Sequence, residues 1–237
     1  MLIFGIDTCC MAATAGIVED GRLVAQTVVN RGKTHSPIMM PAVEEMFKIA
    51  QISPKDIDCF AAAVGPGSFT GVRIGVATAK ALAQGVGKPC AAVSTLEALA
   101  VQNSMFDGIL TPILDARRDQ VYTALFRSKK GVIERLCPDT AMALEDLVLK
   151  LEEMNEDVLF MGDGIFPFEN EIREKLRDRA YIAPCTTNMN LGGSVALLGE
   201  KLFKEGKTVT YGELVPSYVR LSQAERDLLE KNKAEGN

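Results

Sequence analysis

Apolar and polar positions along the chain keep two different periods, and the switches between them mark the element boundaries. An apolar run over 2–6 stops at Asp7 and predicts a buried strand that ends in an acid. Strands predicted over 12–18 and 23–29 flank Glu19-Asp20-Gly21, where the Asp-Gly pair predicts a hairpin turn. From Ser36 to Gln51 the apolar spacing turns helical, with Ser36 as N-cap and Pro37 at the first helical position. Pro41 removes a hydrogen bond from that helix and predicts a kink or a late start. The run over 58–64 suits a parallel strand covered on both faces. A glycine-rich loop then leads into a helix over 71–84, a strand over 90–93 and a helix from Ser94 or Thr95.

The second half repeats this order. A strand over 110–115 again ends in an acid, Asp115, and strands over 120–126 and 132–136 are joined through Ser128-Lys129-Lys130-Gly131. A helix over 144–154, a strand over 157–161 and helices over 166–177 and 193–205 follow. Both halves read β-β-β-α-β-α, with Asp7 and Asp115 at equivalent places. This internal repeat predicts an α/β protein of two duplicated lobes, the unit from which the actin, Hsp70 and sugar-kinase superfamily is built around an interlobe nucleotide cleft. The expected lobes are 1–108 and 109–220, with an exposed charged tail over 221–237.

Composition narrows the chemistry. The 237 residues are 47% apolar, which excludes a disordered chain, and no apolar run is long enough to span a membrane. An acid at position 7 and the lack of a basic leading segment predict no signal peptide, hence a cytoplasmic protein. Six cysteines without a Cys-x-x-Cys pair are expected as reduced thiols. One histidine, His35, makes a metal site unexpected and would be the sole base for any serine or cysteine triad. The net charge of −5 argues against tight nucleic-acid binding by this chain alone. Charge is also uneven: 17 Asp, Glu, Lys and Arg residues lie in 1–108 against 40 in 109–237.

Several segments offer candidate chemistry. In Gly65-Pro66-Gly67-Ser68-Phe69-Thr70-Gly71-Val72-Arg73-Ile74-Gly75, glycines follow a strand and Thr70 is placed to cap the next helix, whose N–H groups favour an anion. The loop fits neither the Gly-x-Gly-x-x-Gly nor the Walker pattern, and a plain strand-to-helix turn explains it as well. Asp7, Gly65, Gly67, Ser68 and Asp115 are the candidate nucleotide contacts. However, the hairpins after the two acids, Thr8-Cys9-Cys10-Met11 and Ala116-Arg117-Arg118-Asp119, lack the glycines that let backbone approach phosphate. Gly162-Asp163-Gly164 has the form of a weak adenosine loop. Arg117-Arg118 and the group Arg127, Lys129, Lys130 and Arg135 are candidate RNA contacts or solvated hairpins.

A docking surface is the other candidate. Gly71, Gly75, Ala79 and Ala83 recur every four residues, and small stripes let helices approach closely. The preceding helix is apolar almost all round, with only Glu44, Glu45 and Lys48 as a polar strip. Met39, Val43, Met46, Phe47, Gly71, Ile74, Gly75, Thr78, Ala79 and Leu82 are therefore the expected partner contacts. The charge-poor first half is expected to be that docking lobe, and Val43→Glu or Gly75→Leu to break docking without harming the fold.

Ile6-Asp7-Thr8, Thr34-His35-Ser36-Pro37, the 65–75 loop, Asp115-Ala116-Arg117-Arg118 with Val121-Tyr122, and Pro216-Ser217-Tyr218-Val219-Arg220 occur in order across nearly the whole chain. Together they resemble the TsaB (YeaZ) family. The resemblance implies a non-catalytic subunit that dimerises with the catalytic protein TsaD, with the ATPase TsaE in a larger complex. That complex transfers a threonylcarbamoyl group to the adenosine next to the anticodon of tRNAs that read codons beginning with A. It further implies that the first-lobe helices 36–51 and 71–84 form the heterodimer, that the chain alone forms a homodimer, and that tRNA is reached mainly through the complex. No cofactor is required of this chain by the resemblance, and a nucleotide contact stays open. The family often has serine where this chain has Cys9. The alternative is a small ATP-binding phosphotransferase of the same fold, with Asp7 and Asp115 orienting magnesium and phosphates.

Overall fold

A computed structural model describes residues 1–31 and 36–220. His35 and the charged tail, both singled out above, lie outside the described residues. The first sheet holds β1 (Leu2–Asp7), β2 (Ala13–Glu19), β3 (Arg22–Val29), β4 (Cys59–Ala63) and β5 (Cys90–Val93), ordered β3-β2-β1-β4-β5. β1 runs antiparallel to β2 and parallel to β4. Alternation along β1 sends successive side chains to opposite faces, and both faces are covered. On one face Phe4 stacks on Phe47 of α1 (Ser36–Ala50) at 5.6 Å and tilts against Phe60. α2 (Phe69–Val86) packs on this same face, over Thr8 and β4.

The other face belongs to a helix from the far end of the chain. α6 (Gly192–Lys204) crosses β1, β2 and β4. It lies so close that a Cβ on Gly16 would sit 2.5 Å from the backbone nitrogen of Gly193, and one on Gly5 would strike the backbone of Ala196. Glycine is required there because only a bare backbone admits the helix.

The second sheet contains β6 (Gly108–Asp115), β7 (Gln120–Thr123), β8 (Phe126–Lys129), β9 (Val132–Arg135), β10 (Thr140–Ala143), β11 (Val158–Met161) and β12 (Ala180–Ile182). Its main order is β10-β7-β6-β11-β12, with β8 pairing β6 and β9. α4 (Leu144–Met154) and α5 (Ile165–Leu176) bury Leu147, Leu151, Ile165 and Ile172 in a core with Ile113, Val158 and Phe160. α3 (Thr95–Val101), from the first half, places Leu96, Leu99 and Ala100 against Leu110, Leu114, Phe126 and Met161 of this sheet.

The terminal helices are thus exchanged: α3 packs on the second sheet and α6 on the first. This corrects the boundary at 108, because the first core includes Val195, Ala196, Leu198 and Leu214. It also accounts for the charge-poor first half without a partner. β1, β2, β4 and β5 are almost wholly buried, and so is α3, leaving few positions where charge is tolerated.

The duplicated order of the actin–Hsp70–sugar-kinase class is present, with local departures. The single strand expected over 120–126 is two. β7 pairs with the Asp115 end of β6 and with β10, and the chain then breaks at Ala124-Leu125. β8 resumes beside the Gly108 end of β6. Cys137 Sγ accepts the Leu125 N–H at 3.1 Å at the break. The short strands β10 and β12 had no alternation long enough to reveal them.

Candidate functional site

The acid that ends β1 is enclosed. Asp7 has no exposed surface, and its Oδ1 accepts the Cys9 N–H at 2.6 Å. Its Oδ2 accepts the side-chain amide of Asn190, which also donates to the Thr95 carbonyl at 3.3 Å. Asn190 therefore ties β1, the start of α3 and the approach to α6 at the point where a phosphate-orienting acid was expected. Burial and the nearby Asp7 charge push the Cys9 and Cys10 thiols well above the ordinary range.

The 65–70 loop is used internally. The Gly65 carbonyl accepts the Thr95 N–H at 3.0 Å, and the Ser68 N–H donates to the Cys9 carbonyl at 2.7 Å. A Cβ on Gly67 would stand 2.5 Å from that same carbonyl. α2 begins at Phe69, capped by Ser68, whose Oγ accepts the Gly71 N–H at 3.3 Å; Thr70, the expected cap, lies in the first turn. The chain near its described end lies over this loop: Leu214 is buried, and the Ser217 N–H donates to the Val64 carbonyl at 2.7 Å.

Asp115, by contrast, is exposed. It accepts the Arg117 N–H at 2.7 Å and pairs with the Arg117 guanidinium at 3.3 Å. Arg117, Arg118 and Asp119 have φ of 63°, 56° and 55°, three successive left-handed residues, each costing roughly 1–2 kcal/mol. Arg220 reaches this hairpin and donates to the Ala116 carbonyl at 2.9 Å. Asp163 faces the same corner and accepts the Asp115 N–H at 3.3 Å. Burial raises the Asp163 carboxyl above its usual range, and backbone N–H groups of Asp115 and Met11 oppose the rise. Asp163 thus contacts the hairpins of both lobes, a role the Gly-Asp-Gly pattern did not reveal.

Besides Arg117, two more of the candidate RNA cations are already paired. Arg127 bonds Glu156 at 2.7 Å, and Arg135 bonds Asp139 at 2.6 Å and Glu97 at 2.9 Å. Lys129 and Lys130 are exposed at the hairpin tip. Among the described residues no cluster of His, Cys, Asp and Glu could hold a metal ion. No helix there is long and apolar enough to cross a membrane. A cavity of about 390 Å³ lies in the second lobe, between Leu125, Cys137, Met142 and Met154, and contains none of the candidate residues.

The expected docking surface divides in two. Met39, Val43, Met46 and Phe47 point into the chain's own core, as do Gly71, Gly75 and Ala79. A Cβ on Gly75 would lie 2.7 Å from Thr8 Oγ1, so this stripe seats α2 on β1 and is not free for a partner. Val43→Glu and Gly75→Leu would damage the fold itself. Ile74, Thr78 and Leu82 are half-buried at the flank, and the Thr78 hydroxyl is satisfied by the Ile74 carbonyl at 2.8 Å.

The outer face carries a second small stripe that the spacing argument missed: Ala77, Ala81 and Gly85, all exposed. It is offset by two residues from the inner stripe, and two residues turn a helix by roughly 200°. α2 is therefore small-sided on opposite faces. On the same side of the sheet, α1 packs on β2 and β3 and exposes Met40 at 46% and Ile49 at 73% on opposite flanks.

Comparison with known proteins identifies this arrangement. Residues 24–228 match the family model described as TsaD, tRNA N6-adenosine threonylcarbamoyltransferase. The chain is 36% identical over 233 residues to the tRNA threonylcarbamoyladenosine biosynthesis protein TsaB of Bacillus subtilis, covering 98% of this chain and 100% of that one. It is 29% identical to the Escherichia coli TsaB, covering 96% and 98%. A tRNA N6-adenosine threonylcarbamoyltransferase of Erythrobacter litoralis matches 46% of this chain and 36% of its own length at 29% identity. A solved protein of Pseudomonas aeruginosa, described as similar to peptidase YeaZ, shares the fold with a TM-score of 0.80 at 23% identity, covering 92% of this chain and 99% of that one. With a full-length relative at this identity and the same two-lobed fold, the chain belongs to the TsaB (YeaZ) family of tRNA threonylcarbamoyladenosine biosynthesis proteins.

Proposed function

We propose that this chain is the non-catalytic partner subunit of a cytoplasmic tRNA threonylcarbamoyl transferase, docking on the catalytic protein TsaD through the outer faces of α1 and α2. TsaE joins the larger complex, and threonylcarbamoyl is transferred to the adenosine next to the anticodon. The observation that carries the reading is the second small stripe of α2, Ala77, Ala81 and Gly85, exposed along its outer face. A helix with a smooth outer face lets the backbone of another helix approach closely. The similarity of this chain to a threonylcarbamoyltransferase supports a partner built from the same unit, able to present equivalent helices about a pseudo-two-fold axis. The same geometry serves a homodimer when the catalytic protein is absent.

The enclosure of Asp7 supports a subunit with no cofactor of its own. Its carboxylate oxygens accept from Cys9 and Asn190, and the 65–70 loop spends its N–H and carbonyl groups on Cys9 and Thr95. tRNA is reached mainly through the complex. The effect of docking is a population shift toward the active arrangement of the catalytic protein. Light scattering after size exclusion tests the reading: mixing with TsaD gives a stable heterodimer, and Ala81→Glu or Ile49→Glu abolishes it while leaving the thermal midpoint unchanged. A heterodimer that tolerates both substitutions would sink it.

A further inference from the structure

Arg73 stands at the head of the outer stripe, four residues before Ala77, and is exposed. Its guanidinium carbon sits 3.8 Å above the Phe69 ring centroid and 5.9 Å from that of Tyr218. The Phe69 and Tyr218 rings stack at 4.8 Å, and Arg73 Nε donates to the Tyr218 hydroxyl at 2.9 Å. Tyr218 is itself fixed, because Ser217 is bonded to Val64 and Leu214 is buried. A long flexible side chain is thereby held in one posture on an open surface, with Phe69 37% and Tyr218 45% exposed.

Among the described residues no carboxylate pairs with Arg73, and Nε is the one guanidinium nitrogen with a hydrogen-bond partner. Nη1 and Nη2 keep a two-pronged donor set free, the geometry that matches a carboxylate. Resting on the docking reading above, we propose that Arg73 is the charged anchor of the α2 face, taking a carboxylate of the partner protein in a bidentate pair. Phe69 and Tyr218 are positioning residues that fix the guanidinium beforehand, so less freedom is lost on docking. A protein carboxylate fits better than RNA phosphate. The neighbours along the stripe are Ile74, Ala77 and Ala81, with no row of cations to follow a phosphate backbone, and Lys80 is turned to the Gly212 carbonyl at 3.5 Å.

The test measures the dissociation constant of the full chain with TsaD by calorimetry, at low and high salt, with thermal midpoints recorded for every variant. Arg73→Met, which keeps an apolar stem over Phe69, should weaken binding roughly 30-fold and flatten the salt dependence. Arg73→Lys should recover only a minor part, since an ammonium cannot make the paired contact. Tyr218→Phe should cost several-fold through lost positioning. A structural strut would lower the midpoint of Arg73→Met while leaving affinity and salt slope at wild-type values, and that result overturns the proposal. So does a loss of tRNA retention with protein affinity unchanged. If wild type binds and Ala81→Glu blocks binding but Arg73→Met does not, the anchor alone fails. If wild type forms no complex, the docking reading falls and takes the anchor with it.

Discussion

Gly75→Ala separates the two faces of α2. The new Cβ would stand 2.7 Å from Thr8 Oγ1 and 3.7 Å from Thr8 N. Thr8 has no exposed surface, and its hydroxyl donates to the Gly71 carbonyl at 2.6 Å, so it cannot swing away without abandoning that bond. Overpacking at such a site costs about 1–3 kcal/mol, and straining the hydrogen bond adds about 1 kcal/mol. Replacing a mid-helix glycine returns roughly 1 kcal/mol. The net loss is about 1–3 kcal/mol, which for a chain of this size lowers the thermal midpoint by roughly 2–12 °C. Circular dichroism melts read it, and Thr8→Ala in the same chain should restore much of the loss, because the clash is with that side chain. Affinity for TsaD, measured well below the midpoint, should be nearly unchanged. A variant as stable as wild type with weakened docking would refute the assignment of inner and outer faces.

Other outcomes follow from the same geometry. Phe47→Ala removes a ring that is 6% exposed and stacked on Phe4, and should destabilise by about 3–5 kcal/mol in urea titration. Asp163 has a raised folded carboxyl, so the native state holds its proton to higher pH than the unfolded chain does. Its contribution to stability is therefore most favourable at or below the ordinary carboxyl range near 3.8 and declines as pH rises through the raised value. Melts of Asp163→Asn against wild type over acidic to neutral pH should lose that decline, and an unchanged difference at every pH would count against it. Cys185 is exposed, whereas burial pushes Cys59 up to about 12 and Cys90 up to about 11. Alkylation of the native protein at mildly alkaline pH, followed by mass spectrometry, should therefore mark Cys185 well before Cys59 or Cys90.

Much of the fold was legible because local periods and breakers agree with the tertiary structure. The Asp20-Gly21 turn, the run ending at Asp7 and the Ser36-Pro37 start each follow from backbone chemistry within a few residues. The break at Ala124-Leu125 was hidden because apolar residues continue through it; what divides β7 from β8 is the choice of different ends of β6. The exchange of α3 and α6 was equally hidden, since an amphipathic helix does not say which sheet it covers. The glycines needed for close contact, Gly5 and Gly16 on the sheet and Gly192 and Gly199 on α6, record the seating of α6 in the sequence. At the site, spacing by four was read correctly as a small stripe, but α2 has two such stripes nearly opposite one another. Deciding between them required Thr8, distant in sequence and fixed against the inner one. Asn190 escaped notice for a like reason: nothing near it in sequence signals that it caps Asp7.

Threonylcarbamoyl transfer to tRNA, reconstituted from purified TsaD, TsaE and this chain, tests the central claim most directly. Transfer should require the chain, survive Asp115→Asn at close to the wild-type rate, and fall to the level without the chain for Ala81→Glu. Loss of transfer in Asp115→Asn with the heterodimer intact would contradict a non-catalytic subunit, as would full activity in Ala81→Glu.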